Sequence, residues 1–138
     1  MAPDLAHTLT FPYPSPMYNP TVMDHFQNPR NTGDMPDPDG IGQVGNPACG
    51  DVMRLFIKVQ DDRLIDIKCQ TFGCAAAIAC ASAASEMVMG KSLDEASGLT
   101  REQVAAYLDG LPEQKMSCSN LAPDALRVAI EDYCSKHP

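Results

Sequence analysis

Three cysteines stand in short motifs that interrupt regular structure, and thiols in such motifs can bind metals. Cys49 lies in GNPACGD, Cys74 in TFGCAAAIACAS and Cys118 in LPEQKMSCSNLA. Thiolates are the soft ligands that iron–sulfur clusters, zinc and copper(I) select. Positions in loops and at junctions between elements should leave these side chains accessible. Two of the three also stand near a predicted helix N-terminus, where unpaired N–H groups and the helix dipole favour a thiolate.

The spacing of these cysteines excludes the commonest alternatives. The chain has no CxxC pair, so it lacks the signature of a zinc ribbon or of a thioredoxin-type redox site. A permanent electron-transfer cluster is normally held by four strong ligands. Three thiolates with one weaker oxygen ligand would instead hold a cluster that can leave. Asp51 is the candidate for that oxygen, and Lys115 could offset the accumulated negative charge.

The other three cysteines are predicted not to be ligands. Cys69 falls on the apolar face of a predicted strand, where a free cysteine commonly packs. Cys80 lies inside a helix, about one and a half turns from Cys74 and therefore on nearly the opposite face. Cys134 is expected to be either a core residue or an exposed bystander. The chain shows no export signal, so a disulfide framework is disfavoured.

Length and charge restrict the class of protein. A chain of 138 residues corresponds to one domain, which we expect to span residues 18–138 after a flexible proline-rich tail at residues 1–17. The net charge of -8 disfavours binding to a phosphate backbone, so nucleic acid is not expected as a partner. No run of about 18 apolar residues predicts a membrane span. Together with the absence of a targeting signal, this favours the cytoplasm.

The elements that must position the cysteines alternate between extended and helical patterns. A short helix is predicted at residues 21–29, followed by a long loop over residues 28–51. Two strands then form an antiparallel hairpin. One face of the hairpin is predicted to carry the apolar residues Met53, Leu55, Ile57, Val59, Ile65, Ile67 and Cys69.

Helices are predicted for most of the remaining chain. Residues 74–90 are dense in alanine, the best helix former, and Gly90 is a natural stop. Residues 92–110 indicate one or two short helices with Thr100 as an N-cap, and residues 122–134 predict a final helix with Pro123 in its first turn. A hairpin followed by helices predicts an α+β fold, a small antiparallel sheet with helices packed on one face.

The three cysteine motifs, together with VMDHFQNPRNTG, closely resemble those of the IscU-like scaffold family, which is also found as the N-terminal domain of NifU proteins. The resemblance covers about Tyr18 to Lys136. It implies transient assembly of a [2Fe–2S] cluster, sulfur supplied by a cysteine desulfurase, and transfer to apo-iron–sulfur proteins, without enzymatic turnover. Carried over by motif, the site residues are Cys49, Asp51, Cys74, Lys115 and Cys118, with Asp51 as the residue that keeps the cluster labile.

Two positions depart from the family pattern. Ser117 stands where most members have histidine, so Asp51 or a cysteine of the desulfurase becomes the expected fourth ligand. The chaperone-binding segment, typically Leu-Pro-Pro-Val-Lys, is Leu-Pro-Glu-Gln-Lys at Leu111–Lys115, which leaves recognition by an Hsp70-type chaperone open. The alternative function is a zinc-dependent sulfur acceptor for the desulfurase. Zinc also fits the scaffold site, because three thiolates and a carboxylate suit its tetrahedral preference.

Overall fold

A computed structural model describes residues 18–46 and 50–137 of the chain. The predicted tail at residues 1–17 therefore lies outside them. The elements are α1 (Pro20–Gln27), β1 (Gly40–Asn46), β2 (Asp51–Gln60), β3 (Arg63–Phe72), α2 (Ala75–Val88), α3 (Leu93–Ser97), α4 (Arg101–Tyr107), a 3₁₀ helix (Glu113–Asn120) and α5 (Leu121–Lys136). No helix in this part of the chain has the length and apolar character needed to cross a membrane.

The predicted hairpin is part of a three-stranded antiparallel sheet in the order β1-β2-β3. The prediction of an uninterrupted loop over residues 28–51 was wrong, because β1 occupies its second half. Glycines at positions 40, 42 and 45 hid this strand, since glycine is depleted in strands. Two of them are required by packing: a Cβ at Gly40 or Gly42 would lie 2.4 or 2.1 Å from a backbone carbonyl oxygen of α5.

The helices cover one face of the sheet, which confirms the predicted α+β class. Helix α5 packs on β1 and β2, and α2 packs on β3. Met53, Leu55 and Ile57 point into this layer and are essentially inaccessible to solvent. The period-two pattern of β2 therefore placed its buried face correctly.

The predicted face of β3 was wrong at its first residues. Leu64 is fully buried, whereas Ile65 is 53% exposed. The register passes from Lys58 opposite Asp66 to Val59 opposite Leu64, so Ile65 is the extra residue of a β-bulge. A bulge reverses the alternation of side chains along one strand, and simple counting from Cys69 back to Ile65 misses it.

The predicted helices are present, and their ends follow capping chemistry. Helix α2 buries alanine on several sides, which lets it approach its neighbours closely. The region 92–110 forms two helices, each opened by a capping box, at Ser92 for α3 and at Thr100 for α4. The 3₁₀ helix before α5 was not predicted.

Helix α1 is tied to the other helices by hydrogen bonds of polar side chains. The Asn19 carboxamide oxygen accepts the Val22 N–H at 2.8 Å, and its NH₂ group lies within 3.1 Å of three carbonyl oxygens that follow α4, those of Leu108, Asp109 and Gly110. His25 is buried and its Nδ1 lies 2.8 Å from the Ser82 hydroxyl of α2. These contacts fix the start of the described chain against α2 and α4.

Candidate functional site

Asp51 closes the N-terminus of α2, where a cap is otherwise missing. Cys74 is the N-cap residue, but its side chain makes no capping hydrogen bond. Instead the Cys74 backbone N–H donates to Asp51 Oδ1 at 3.2 Å. A carboxylate at this end of a helix is stabilised by the helix dipole and by the unpaired N–H groups. The first residue of β2 is therefore held at the first turn of α2.

Gly73 leaves the space that Asp51 occupies. A Cβ built at Gly73 would lie 2.4 Å from Asp51 Oδ1 and 2.6 Å from its Cγ. Asp51 is only 3% exposed, so its carboxylate has little room to move aside. The absence of a side chain at position 73 is thus a condition for the position of Asp51. No sequence motif predicted this role, although Gly73 directly precedes Cys74.

The Asp51 carboxylate and two thiols form a nearly equilateral triangle. Asp51 Oδ2 lies 3.6 Å from Cys74 Sγ and 3.6 Å from Cys118 Sγ, and the two sulfur atoms are 3.6 Å apart. Tetrahedral zinc with Zn–S distances of about 2.3 Å holds its sulfur ligands about 3.8 Å apart. The donor set and its spacing therefore fit a tetrahedral thiolate-binding metal with little rearrangement.

The electrostatics of the site favour a thiolate on Cys74. Its hydrogen bond with Cys118 is the main cause that lowers the pKa of Cys74 to about 6, against the opposing effect of burial. The Ala77 N–H in the first turn of α2 lowers this pKa further. A thiolate is the form that binds metal and acts as a nucleophile. Cys74 is therefore prepared for either role near neutral pH.

Two more side chains lie within electrostatic range of the thiols. Lys115, at the start of the 3₁₀ helix, has its pKa raised mainly by the Cys74 charge. Its role in offsetting negative charge at the site stays a prediction. The pKa of Tyr18 is raised by burial and then by Cys74. In the sequence, Tyr18 only marks the start of the family resemblance, and no local motif predicts that it lies near the site.

The structure brings together three of the predicted ligands, Asp51, Cys74 and Cys118, from β2, the start of α2 and the 3₁₀ helix. Cys49 lies outside the described residues, so its role stays a prediction. Cys118 was expected on an exposed loop but is only 1% exposed, because the 3₁₀ helix turns it inward. Ser117, beside it, is exposed to solvent.

The remaining cysteines of the described chain are separate from this group. Cys69 and Cys80 are buried, and burial raises the pKa of each thiol to about 12. They are neutral core residues, as the strand and helix patterns predicted. Cys134 is exposed on α5. Of the two predicted alternatives, it is therefore the exposed bystander and not a core residue.

Comparison with known proteins gives consistent matches over most of the chain. Residues 17–138 match the family described as NifU-like N terminal domain. An iron-sulfur cluster assembly scaffold protein, IscU 1, of Archaeoglobus fulgidus is 62% identical over 121 residues, which cover 88% of this chain and 79% of that protein. The scaffold protein IscU of Escherichia coli is 50% identical over 123 residues, covering 86% and 95%.

Solved structures show the same fold. The crystal structure of a nitrogen-fixing NifU-like protein (N-terminal) from Brucella abortus superposes with a TM-score of 0.76, covering 88% of this chain and 97% of that one. Its sequence identity is 19%, so this likeness speaks for the fold alone. The family match and the identity to the scaffold relatives agree with the cysteine motifs and with the site that they form. The chain belongs to the NifU-like N-terminal domain family.

Proposed function

We propose that this protein is a scaffold on which a [2Fe–2S] cluster is assembled and from which the cluster passes to apo-iron–sulfur proteins. The observation that carries the proposal is the triangle of Asp51 Oδ2, Cys74 Sγ and Cys118 Sγ with its edges of 3.6 Å. Relatives that are 62% and 50% identical bear the name of iron-sulfur cluster assembly scaffold proteins. Such a protein delivers its cargo and performs no catalytic turnover.

In this proposal the cysteines hold the cluster, and Asp51 keeps it exchangeable. Cys74 and Cys118 supply two thiolates, and Cys49 supplies the third. Asp51 supplies an oxygen ligand, which binds the thiophilic metal more weakly than sulfur does. The mixed ligand set therefore keeps the cluster exchangeable. Lys115 balances part of the negative charge that three thiolates and a carboxylate would accumulate.

The scaffold role implies partners with defined chemistry. Iron and sulfur must arrive separately, and a cysteine desulfurase is the expected sulfur source. The recipients are apo-proteins with their own cysteine ligands. Glu113 and Gln114 are exposed between Leu111 and Lys115, so an Hsp70-type chaperone would meet a polar centre in this segment. Reduced thiols are required throughout, which favours work in the cytoplasm.

Anaerobic reconstitution tests this function. The protein is incubated with ferrous iron, cysteine and a cysteine desulfurase, and absorption and Mössbauer spectra are recorded before apo-ferredoxin is added. We expect a [2Fe–2S] signature that moves to the ferredoxin and is lost in Cys49→Ala, Cys74→Ala and Cys118→Ala. Cys134→Ala is the matched control, because this exposed thiol lies apart from the site.

The geometry also favours one second candidate, a zinc-dependent sulfur acceptor. The spacing of Asp51, Cys74 and Cys118 suits zinc as well as iron. In that case the reconstitution gives no cluster, and the protein retains one tightly held zinc ion and carries persulfide after incubation with the desulfurase. That result would replace the scaffold proposal.

A further inference from the structure

Two of the cysteines in the described chain have sulfur atoms in contact, and they differ in accessibility. Cys74 Sγ and Cys118 Sγ are 3.6 Å apart. Cys74 is half-buried, whereas Cys118 is only 1% exposed. A small oxidant therefore reaches Cys74 first. Cys118 is the thiol that lies close enough to react with the oxidised sulfur of Cys74.

We propose that the site is also an oxidative modification site, in which Cys74 and Cys118 form a reversible disulfide under attack by a low-molecular-weight disulfide. The bridge itself depends only on the position of the two sulfur atoms. Its consequence, that it switches off cluster assembly, rests on the proposed function.

The structure supplies the freedom that closure needs. A disulfide bond of about 2.05 Å requires the two sulfur atoms, now 3.6 Å apart, to approach by about 1.6 Å. Cys118 belongs to the 3₁₀ helix Glu113–Asn120, and 3₁₀ hydrogen bonds have poorer geometry than those of an α-helix. This segment can shift at lower cost than Cys74, whose backbone N–H is held by Asp51 at the start of α2.

A bound metal ion opposes the bridge, because it occupies the lone pairs of the same two sulfur atoms, which lie 3.6 Å from each other and from Asp51 Oδ2. Metal binding and disulfide formation thus compete for the same two atoms.

The reaction proceeds by two exchange steps. The Cys74 thiolate attacks one sulfur of the reagent RSSR, forms a mixed disulfide and expels RS⁻. The Cys118 thiol loses its proton to water, and its sulfur attacks the Cys74 sulfur of the mixed disulfide, expelling the second RS⁻. The two protein thiols together lose two electrons. One RSSR is reduced to two RSH, which take up the two released protons.

Peptide mapping of the full chain tests the bridge. Apoprotein is treated with bis(2-hydroxyethyl) disulfide, blocked with N-ethylmaleimide and digested with trypsin without reduction. Cleavage at lysine and arginine separates Cys118 (peptide 116–127) from Cys74 (peptide 69–91) and from Cys49 (peptide 31–54). We expect peptides 69–91 and 116–127 to be linked, with fragmentation placing the bond at Cys74 rather than at the buried Cys69 or Cys80.

The intermediate distinguishes the roles of the two thiols. In Cys118→Ser the mixed disulfide at Cys74 should accumulate, whereas in the unmodified protein the bridged form should exceed it by at least about tenfold, because the second step is intramolecular between adjacent atoms. Cys134→Ser, the matched control, should form the bridge as the unmodified protein does. One equivalent of Zn²⁺ should slow bridging by at least about tenfold.

Three results would overturn the inference. The first is linkage of peptide 31–54 to peptide 69–91 or to peptide 116–127 in place of a link between the latter two. The others are mixed disulfides that persist in the unmodified protein and bridging that zinc does not slow. The consequence for function is measured separately, by cluster reconstitution before and after dithiothreitol treatment of the bridged protein. Recovery only after reduction supports the switch. A protein that bridges but never forms a cluster contradicts the scaffold proposal and leaves the bridge established.

Discussion

Replacing Gly73 with alanine should displace Asp51 without altering any proposed ligand. The added Cβ would lie 2.4 Å from Asp51 Oδ1 and 2.6 Å from Cγ, closer than Cβ atoms of folded proteins approach non-bonded neighbours, and Asp51 is 3% exposed. The carboxylate must therefore move, and the Cys74 N–H loses its acceptor at 3.2 Å. One added methyl group would therefore misplace the proposed ligand Asp51 and remove the cap that it provides for α2.

The magnitude follows from these two losses. Removal of a helix N-cap and the local repacking together cost about 2 kcal/mol of unfolding free energy. For a chain of this size each kcal/mol corresponds to about 4 °C, so Tm should fall by about 8 °C. Loss of a residue that only orients a metal ligand typically costs 10-fold or more in affinity. Displacement of Asp51, a proposed ligand, should therefore lower the zinc affinity, measured by chelator competition, by at least about 10-fold.

A double-mutant cycle separates this mechanism from general destabilisation. If Gly73→Ala acts through Asp51, its effect on zinc affinity should largely disappear in an Asp51→Ala background, because the carboxylate that it displaces is gone. Gly98→Ala is the matched control, since its Cβ meets ordinary contacts at 3.5 Å in an unstrained backbone. Unchanged zinc affinity in Gly73→Ala, or an additive double mutant, would refute the reasoning.

Three further predictions concern packing, pH and thiol reactivity. Gly42→Ala should lower the free energy of unfolding in urea by more than about 3 kcal/mol, because its Cβ would lie 2.1 Å from a backbone oxygen of α5. Burial lowers the pKa of His25 below its ordinary 6.5, so the folded state binds fewer protons than the unfolded state; stability should fall between pH 7 and pH 5.5, by up to about 1.4 kcal/mol per pH unit. Alkylation of Cys74 by iodoacetamide should have its midpoint near pH 6, and Cys118→Ala, which removes the hydrogen-bond donor, should move that midpoint upward.

Each of these predictions has a control within the chain. Gly45→Ala, on the same strand, has its nearest contact at 3.4 Å and should cost much less than Gly42→Ala. His25→Gln should flatten the stability curve between pH 7 and pH 5.5; an equally steep curve would show that another group titrates. Cys69 and Cys80 should resist alkylation, because burial raises the pKa of both to about 12. Labelling of either thiol at the rate of Cys74 would contradict the described site.

Local chemistry made part of this fold predictable. The alanine-rich helix, the face of β2 and the N-cap Thr100 depend on neighbouring residues, and the pattern placed them correctly. The grouping of Asp51, Cys74 and Cys118 was also accessible to sequence reasoning, because Cys74 and Cys118 stand in distinctive motifs and Asp51 closely follows a third.

The errors arose where distant packing decides the local structure. Strand β1 carries glycine at positions 40 and 42 because α5 packs against it there, and no sequence window around Gly42 contains that helix. The bulge at Ile65 depends on the partner strand. Burial of Cys118 depends on how the 3₁₀ helix meets Asp51 and Cys74. The role of Gly73 likewise depends on a side chain that is adjacent only in the folded state.

The 3₁₀ helix Glu113–Asn120 affects how much free energy is needed to release a cluster from the site. Asp51 is anchored in the sheet and Cys74 at the start of α2, whereas Cys118 is carried by eight residues whose hydrogen bonds have poorer geometry than those of an α-helix. Unwinding this short segment would withdraw one corner of the triangle and leave the sheet and α2 intact. A cluster that binds only the closed triangle stabilises the 3₁₀ helix. By linkage, unwinding this helix then costs additional free energy equal to the free energy of that binding. A partner that binds the unwound form of this segment would therefore favour release of the cluster. Global unfolding of the scaffold is not required.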